Sequence, residues 1–312
     1  MARKYLFLAL FATAIGLANA QANLTSTGCA DAVGFQTCQY SVGNSTANCI
    51  AQANRDQSQF EVAGCACTNY VGNYNCYAQH CWNRVNECEY QSYIVEYLLQ
   101  CPIARLPVPY FPAPDNAPDS CSCNLGKVYL GINNSTQQGN TCLAGVSGGD
   151  PNANVQRVQG CQCCELSGAI SSIYGLCPNT NPSLVGLNQV NNVLGNQIGT
   201  NFSSCSSPLS QFNCQSDLGF PAVGGGTYFN PTNLPTSGTA TLSNVGGTVT
   251  APASGSIFTY TNGGDQQVYT ISAASSTTSN GPTGTAKSGS AEIVLSREIL
   301  FISFLMCFSV ML

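Results

Sequence analysis

Two stretches of the chain carry the same apolar stripe. In 88–101, Tyr90, Tyr93, Ile94, Tyr97, Leu98 and Cys101 follow i, i+3, i+4 spacing; in 164–177, Leu166, Ala169, Ile170, Ile173, Tyr174 and Cys177 repeat those offsets 76 residues later. Each stripe predicts a helix with one buried face. Pro102 and Pro178 follow at once. Because the residue before a proline avoids helical angles, each helix is expected to end at its terminal cysteine. Glu89 and Glu165 directly follow the opening cysteines, where a first-turn carboxylate favours the helix dipole. In a continuous helix Cys88 and Cys101 would stand about 20 Å apart, beyond disulfide reach, so both ends must be pinned elsewhere.

A period of two appears further on. Residues 256–272 alternate apolar and polar positions on either side of Asn262-Gly263, a hairpin signal, and 239–250 resembles a second hairpin. Both lie in residues 221–290, where 41 of 70 residues are Gly, Ser, Thr or Pro and only Asp265 and Lys287 are charged. That composition predicts a stalk over 219–289, O-glycosylated and carrying hairpins that are marginal in isolation.

The two ends read as processing signals. Arg3 and Lys4 precede an apolar run and then Ala18-Asn19-Ala20, which predicts a signal peptide over 1–20. At the other end, small residues at 288–291 are followed by a spacer with Glu292, Arg297 and Glu298 and then by the apolar run 299–312. This order predicts attachment of a glycosylphosphatidylinositol (GPI) lipid at Gly289, with Ser288 as the alternative, and loss of 290–312. A spanning helix would have to bring Arg297 and Glu298 into the bilayer at about 2.5–3.5 kcal/mol each.

Removing both ends settles the cysteine count. Cys307 leaves with the tail, and eighteen of nineteen cysteines remain: Cys29, Cys38, Cys49, Cys65, Cys67, Cys76, Cys81, Cys88, Cys101, Cys121, Cys123, Cys142, Cys161, Cys163, Cys164, Cys177, Cys205 and Cys214. An even number at this density in an exported chain predicts a disulfide framework whose pairing the sequence leaves open. A zinc site at Cys65-x-Cys67 or Cys161-x-Cys163-Cys164 is the competing reading, but the export route is oxidising and the usual Cys-x-x-Cys pairs are missing. The fold class is therefore a disulfide-rich protein of short helices and loops over 21–218. Matching cysteine order suggests two related units, 65–102 and 121–178.

The mature part keeps six Lys or Arg against twelve Asp or Glu and has no basic run, which excludes nucleic acid as a partner. N-glycan acceptors occur at Asn23, Asn44, Asn133, Asn134 and Asn201, and "GINNSTQQGN" is expected to be a surface loop. Catalytic groups are sparse. His80 is the only histidine; a catalytic reading would join it to a serine and to Asp56 or Glu87, but Gly-x-Ser-x-Gly is missing. Glu61, Glu87, Glu89 and Glu165 could supply acid pairs, and "TNYVGNYNCY", 68–77, could offer an aromatic platform for sugars. The cheaper reading of each is packing or capping, so no catalytic, cofactor or metal residue is assigned.

The layout of signal, cysteine-rich head, Ser/Thr/Gly-rich stalk and anchor tail resembles the GPI-anchored surface proteins of filamentous fungi. Within it, "CACTNYVGNYNCYAQHC", 65–81, is similar to the cysteine order of the CFEM domain, a fungal eight-cysteine helical module. That resemblance implies capture of a small ligand such as haem, held in some members by an aspartate shortly before the Cys-x-Cys. Here the stretch holds Glu61, and no ligand is carried over. The expected function is a non-enzymatic, glycosylated surface or cell-wall protein, tethered to the outer leaflet by its lipid and placed near cell-wall glucan. Small-ligand capture and a glycan-binding or carbohydrate-active head are the alternatives.

Overall fold

A computed structural model of the chain describes residues 23–276. The signal segment 1–20, Gly289, Ser288 and the tail 290–312 lie outside the described residues. All eighteen cysteines from Cys29 to Cys214 are disulfide-bonded. The described chain is mainly helical and divides into two units.

The first unit comprises residues 26–82, 103–109 and 251–276. Its centre is a helical hairpin of α1 (Ala32–Arg55) and α2 (Gln59–His80). Asp31 caps α1 by accepting from the Gly34 amide, and Ser58 caps α2 by accepting from the Glu61 amide. Three bridges lace the hairpin: Cys29–Cys81 at its open end, Cys38–Cys76 within it, and Cys49–Cys65 towards the turn. Phe35 meets Tyr77 edge-to-face at 5.3 Å, and Tyr74 is fully buried. At Gly72 a β-carbon would press on Val42, so the two backbones approach closely there.

The hairpin predicted at 256–272 forms, as β1 (Ile257–Thr261) paired antiparallel with β2 (Val268–Ser272). It is held to α2: Tyr260 donates to Asn75 at 2.6 Å, the Ala274 amide donates to the Gln79 carbonyl at 2.8 Å, and Trp82 donates to the Ala274 carbonyl at 2.8 Å. The turn differs from a two-residue Asn-Gly turn. Residues 262–267 form a longer loop, folded around the buried Asn262, whose Oδ1 accepts from the Gly264 and Asp265 amides. The Asn262 side-chain amide donates to the Tyr74 hydroxyl.

The second unit comprises residues 23–25, 83–102 and 110–250. α3 (Cys88–Gln100) buries Tyr90, Tyr93, Ile94, Tyr97 and Leu98, the predicted stripe, and stops at Cys101. α4 (Leu125–Ala144) and α5 (Pro151–Leu176) form a second helical hairpin. Cys123–Cys177 closes its open end and Cys142–Cys161 its turn end. The predicted stripe on 164–177 is buried as well, packed with Leu125, Val128, Val185, Val190, Leu194 and Ile198.

Three expectations change here. α5 begins at Pro151, capped by Asp150, so Glu165 lies in mid-helix and is 2 % exposed, rather than in a first turn. "GINNSTQQGN" is part of α4 and not a loop, with Ser135 and Thr136 buried. The reason is close packing: β-carbons at Gly131, Gly139 and Gly168 would collide with Ser172, Glu165 and Ser135, so small residues let the helices approach. Third, residues 219–250 do not stand off as a stalk. Ser167 on α5 donates to the Phe229 carbonyl at 2.5 Å, the Phe229 amide donates to Ser171 at 2.7 Å, and single β-bridges join Thr180 to Ala240 and Cys121 to Asn244. The 239–250 segment makes these bridges in place of a hairpin of its own. Hydrogen bonding, with burial of Phe220 and Val223 and packing of Phe229 and Leu242 against the core, thus orders a segment poor in apolar residues.

The bridges also fix the register of the internal similarity. Under the alignment of 65–102 with 121–178, Cys76 and Cys81 match Cys142 and Cys161; the first two pair back to Cys38 and Cys29, the second two with each other. The hairpins match differently. Cys29–Cys81 corresponds to Cys123–Cys177, and Cys49–Cys65 to Cys142–Cys161, with separations of 52 and 54 residues for the open-end bridges and 16 and 19 for the turn-end bridges. Cys65-x-Cys67 then aligns with Cys161-x-Cys163.

Candidate functional site

The residues considered for acid–base work are taken up by local structure. His80, in the last turn of α2, places Nδ1 2.9 Å from Oδ2 of Asp31, the residue that caps α1. The Asp31 amide donates to the His80 carbonyl at 2.9 Å. Beside Cys29–Cys81 this makes a second clasp on the open end of the first hairpin. Asp56 accepts from Gln52, and Glu61 sits in the first turn of α2 after its cap Ser58. Tyr70, Tyr74 and Tyr77 are buried, so the stretch 68–77 is core and not a sugar platform.

A second cluster joins Arg84, Glu87, Glu89, Thr25 and Asp119. Arg84 forks onto both Glu87 oxygens at 2.9 and 2.8 Å, and Glu89 receives the Thr25 amide and hydroxyl, each at 2.7 Å. Burial, then the neighbouring Glu87 charge and hydrogen bond, raise the Asp119 carboxyl above its ordinary value, against the lowering effect of Arg84. The arrangement ties residues 23–25 to the start of α3. It lines neither recess of the second unit described next. Among the described residues, no group of three or more His, Cys, Asp or Glu side chains comes together to hold a metal ion.

A groove of about 790 Å³ lies where α5 faces the segment 191–211. Gln156, Gln159 and Gln162 reach it from α5 at three-residue spacing, one helical face. The opposite wall is a helical run over 187–198, whose middle, Val190–Leu194, is a π turn, followed by a short 3-10 turn, Phe202–Cys205. Cys163–Cys205 holds this wall to α5, and Gln162 reinforces it by donating to the Ile198 carbonyl at 2.8 Å and accepting from Thr200 at 3.1 Å. Gly199 takes a left-handed conformation, φ +67°, to turn the chain out of the helical run. The lining side chains are amides and hydroxyls apart from Cys163 and Pro208; among the described residues no charged or aromatic one lines the groove. Such a surface both donates and accepts hydrogen bonds without a net field.

The glycan acceptors are distributed over both units. Asn23, Asn44, Asn134 and Asn201 are exposed, whereas Asn133 is half-buried on α4. Asn134 borders a shallower recess of about 350 Å³ with Gln137, Gln138 and Thr141. Asn201 lines the amide groove itself and caps the Phe202–Cys205 turn through Oδ1, which accepts from the Ser203 amide at 2.9 Å. The groove has no sequence motif, because its walls lie far apart in the chain; the three-residue glutamine spacing in "QRVQGCQ" is its only local trace.

Among the described residues no helix is long and apolar enough to cross a membrane. Comparison with known proteins gives no match to a protein family, to a curated protein or to a solved structure.

Proposed function

We propose that the chain is a non-enzymatic, glycosylated cell-surface or cell-wall protein, tethered to the outer leaflet through a GPI lipid at Gly289 or Ser288. The observation that carries this reading is the complete oxidation of the eighteen cysteines between Cys29 and Cys214, which fits a disulfide-stabilised protein of an oxidising compartment. The leader-like N-terminus and the tail after 288–291 supply the route and the tether. A structural role for the ionisable groups supports the non-enzymatic part: His80 and Asp31 clasp a hairpin, and Arg84, Glu87 and Glu89 hold the N-terminal residues. The exposed acceptor asparagines are compatible with dense glycosylation facing the cell wall.

The test is release. Treating intact cells with phosphatidylinositol-specific phospholipase should free the protein into the medium with every retained cysteine oxidised. Retention on the membrane, or free thiols in the released chain, would refute the proposal.

A further inference from the structure

We infer that the amide-lined groove seats the inner sugars of this chain's own N-linked glycan, the one carried by Asn201. The inference rests on export and glycosylation as proposed above, but not on the lipid tether.

The acceptor is already oriented. Asn201 Oδ1 is engaged by the Ser203 amide and hydroxyl, while Nδ2, the atom that would carry the glycan, makes no hydrogen bond among the described residues. Glycosylation leaves Oδ1 free to accept, so the cap on Phe202–Cys205 survives attachment and fixes the direction in which the first sugar leaves. Asn201 lines the groove, so that sugar starts within it.

The groove matches what would enter. Gln156, Gln159, Asn191, Asn196 and Gln211 line it with exposed side-chain amides that bond to no other described group. A primary amide donates and accepts at once, as does a sugar hydroxyl or an N-acetyl group. An anionic ligand would call for Arg or Lys, and none lines the groove. Its volume of about 790 Å³ lies in the range of built ligand sites, roughly 300–1,000 Å³. The absence of an aromatic stacking surface suits a sugar held by covalent attachment, whose binding need not overcome the entropy of association.

The experiment uses the full chain secreted from a glycosylating host. Glycopeptide mass spectrometry gives occupancy at each acceptor, and the rate of release by a peptide-N-glycosidase is followed on native protein. The expected result is an occupied Asn201 whose glycan is released about tenfold more slowly than those at Asn23 and Asn44, as two or three net hydrogen bonds would give. All sites should be released at one rate after reduction and denaturation. The double substitution Gln159→Ala, Gln211→Ala, at two exposed positions, should bring the native rate at Asn201 up to that of the other sites. An unoccupied Asn201 beside occupied Asn23 or Asn44, equal native rates, or no response to the double substitution would each overturn the inference. If no acceptor is occupied, the export and glycosylation reading fails with it.

Discussion

Each helical hairpin closes its open end with one disulfide, and the two bridges span nearly equal lengths of chain, 52 residues for Cys29–Cys81 and 54 for Cys123–Cys177. Separation alone therefore predicts equal stabilisation. The neighbouring bridges break that equality. With Cys38–Cys76 intact, the unfolded loop closed by Cys29–Cys81 runs from Cys29 to Cys38 and back from Cys76 to Cys81. That is about 16 residues, about 3.1 kcal/mol of loop-closure entropy. In the second hairpin the nearest internal link is Cys142–Cys161, so Cys123–Cys177 closes about 37 residues, about 3.8 kcal/mol. Replacing Cys123 and Cys177 together by alanine should thus destabilise its hairpin by about 0.7 kcal/mol more than the matching change at Cys29 and Cys81.

A background without Cys38 and Cys76 supplies the control. There the Cys29–Cys81 loop lengthens to about 38 residues, limited by Cys49–Cys65, and the two open-end bridges become equivalent. Hydrogen exchange of peptides from α2 and α5 along a denaturant series reads each hairpin separately. A gap between the two losses that does not shrink by about 0.7 kcal/mol when Cys38–Cys76 is removed would refute the loop argument. The cavity left by each cysteine is common to both backgrounds and cancels.

Other expectations follow from single contacts. A β-carbon at Gly34 would collide with Asp31 and His80, so Gly34→Ala should destabilise the first hairpin by about 1–3 kcal/mol. Gly43→Ala on the same helix, with open space around it, should add about 0.5–1 kcal/mol, both read by chemical denaturation. Ser167→Ala with Ser171→Ala removes the two hydrogen bonds holding Phe229 and should speed proteolytic cleavage within 221–240 while α5 keeps its exchange protection. The raised Asp119 carboxyl means that the folded state holds this proton more tightly than the unfolded chain does. Stability from that preference is complete below the ordinary value near 3.8 and is lost as pH rises through the raised value. Asp119→Asn should therefore match the parent at about pH 3 and exceed its stability at about pH 6. Asp217, lowered by the Asn213 amide and the Ser216 hydroxyl, has the opposite sign: its contribution is present above 3.8 and fades as pH falls through the lowered value, and Asp217→Asn should be weaker at neutral pH.

What the sequence revealed followed burial. The stripes on 88–101 and 164–177 were legible because Tyr90, Ile94, Leu166 and Ile173 must face a core, and Pro102 and Pro178 stop the chain whatever surrounds it. The start of α5 was missed although Asp150-Pro151 is a good cap and first-turn pair, because the exposed turns that follow carry no apolar period. α4 hid behind Gly, Asn, Ser and Thr, residues that favour turns in isolation, but Gly131 and Gly139 are required there by the closeness of α5. Composition likewise concealed the ordering of 219–250, since its few packed apolar residues, Phe220, Val223, Phe229 and Leu242, are scattered without a period and the hydrogen bonds to Ser167 and Ser171 leave no hydrophobic signature. The register of the repeat was written in Cys65-x-Cys67 and Cys161-x-Cys163, each with its next hairpin-closing cysteine 16 residues after the first. The two stripes give a different register, because one lies on α3 beyond the first hairpin and the other on α5 within the second.

The same comparison explains why a groove exists in the second unit. In both hairpins the first cysteine of the Cys-x-Cys, Cys65 or Cys161, closes the turn end, and in the second hairpin the next one, Cys163, bonds outward to Cys205. That outward bridge fixes one point of the chain beyond the hairpin and leaves everything between Cys177 and Cys205 free to vary in length and shape. Here the interval is filled by the 187–198 helical run, whose apolar side, Val190, Leu194 and Ile198, joins the core, so that Asn191 and Asn196 are left facing the glutamines of α5. A wall fixed covalently at Cys205 and packed through Val190, Leu194 and Ile198 can leave its other side polar at little cost in stability. The groove is thus a product of the bridge order: a rigid hairpin, one outward cysteine, and a polar interval drawn back against it.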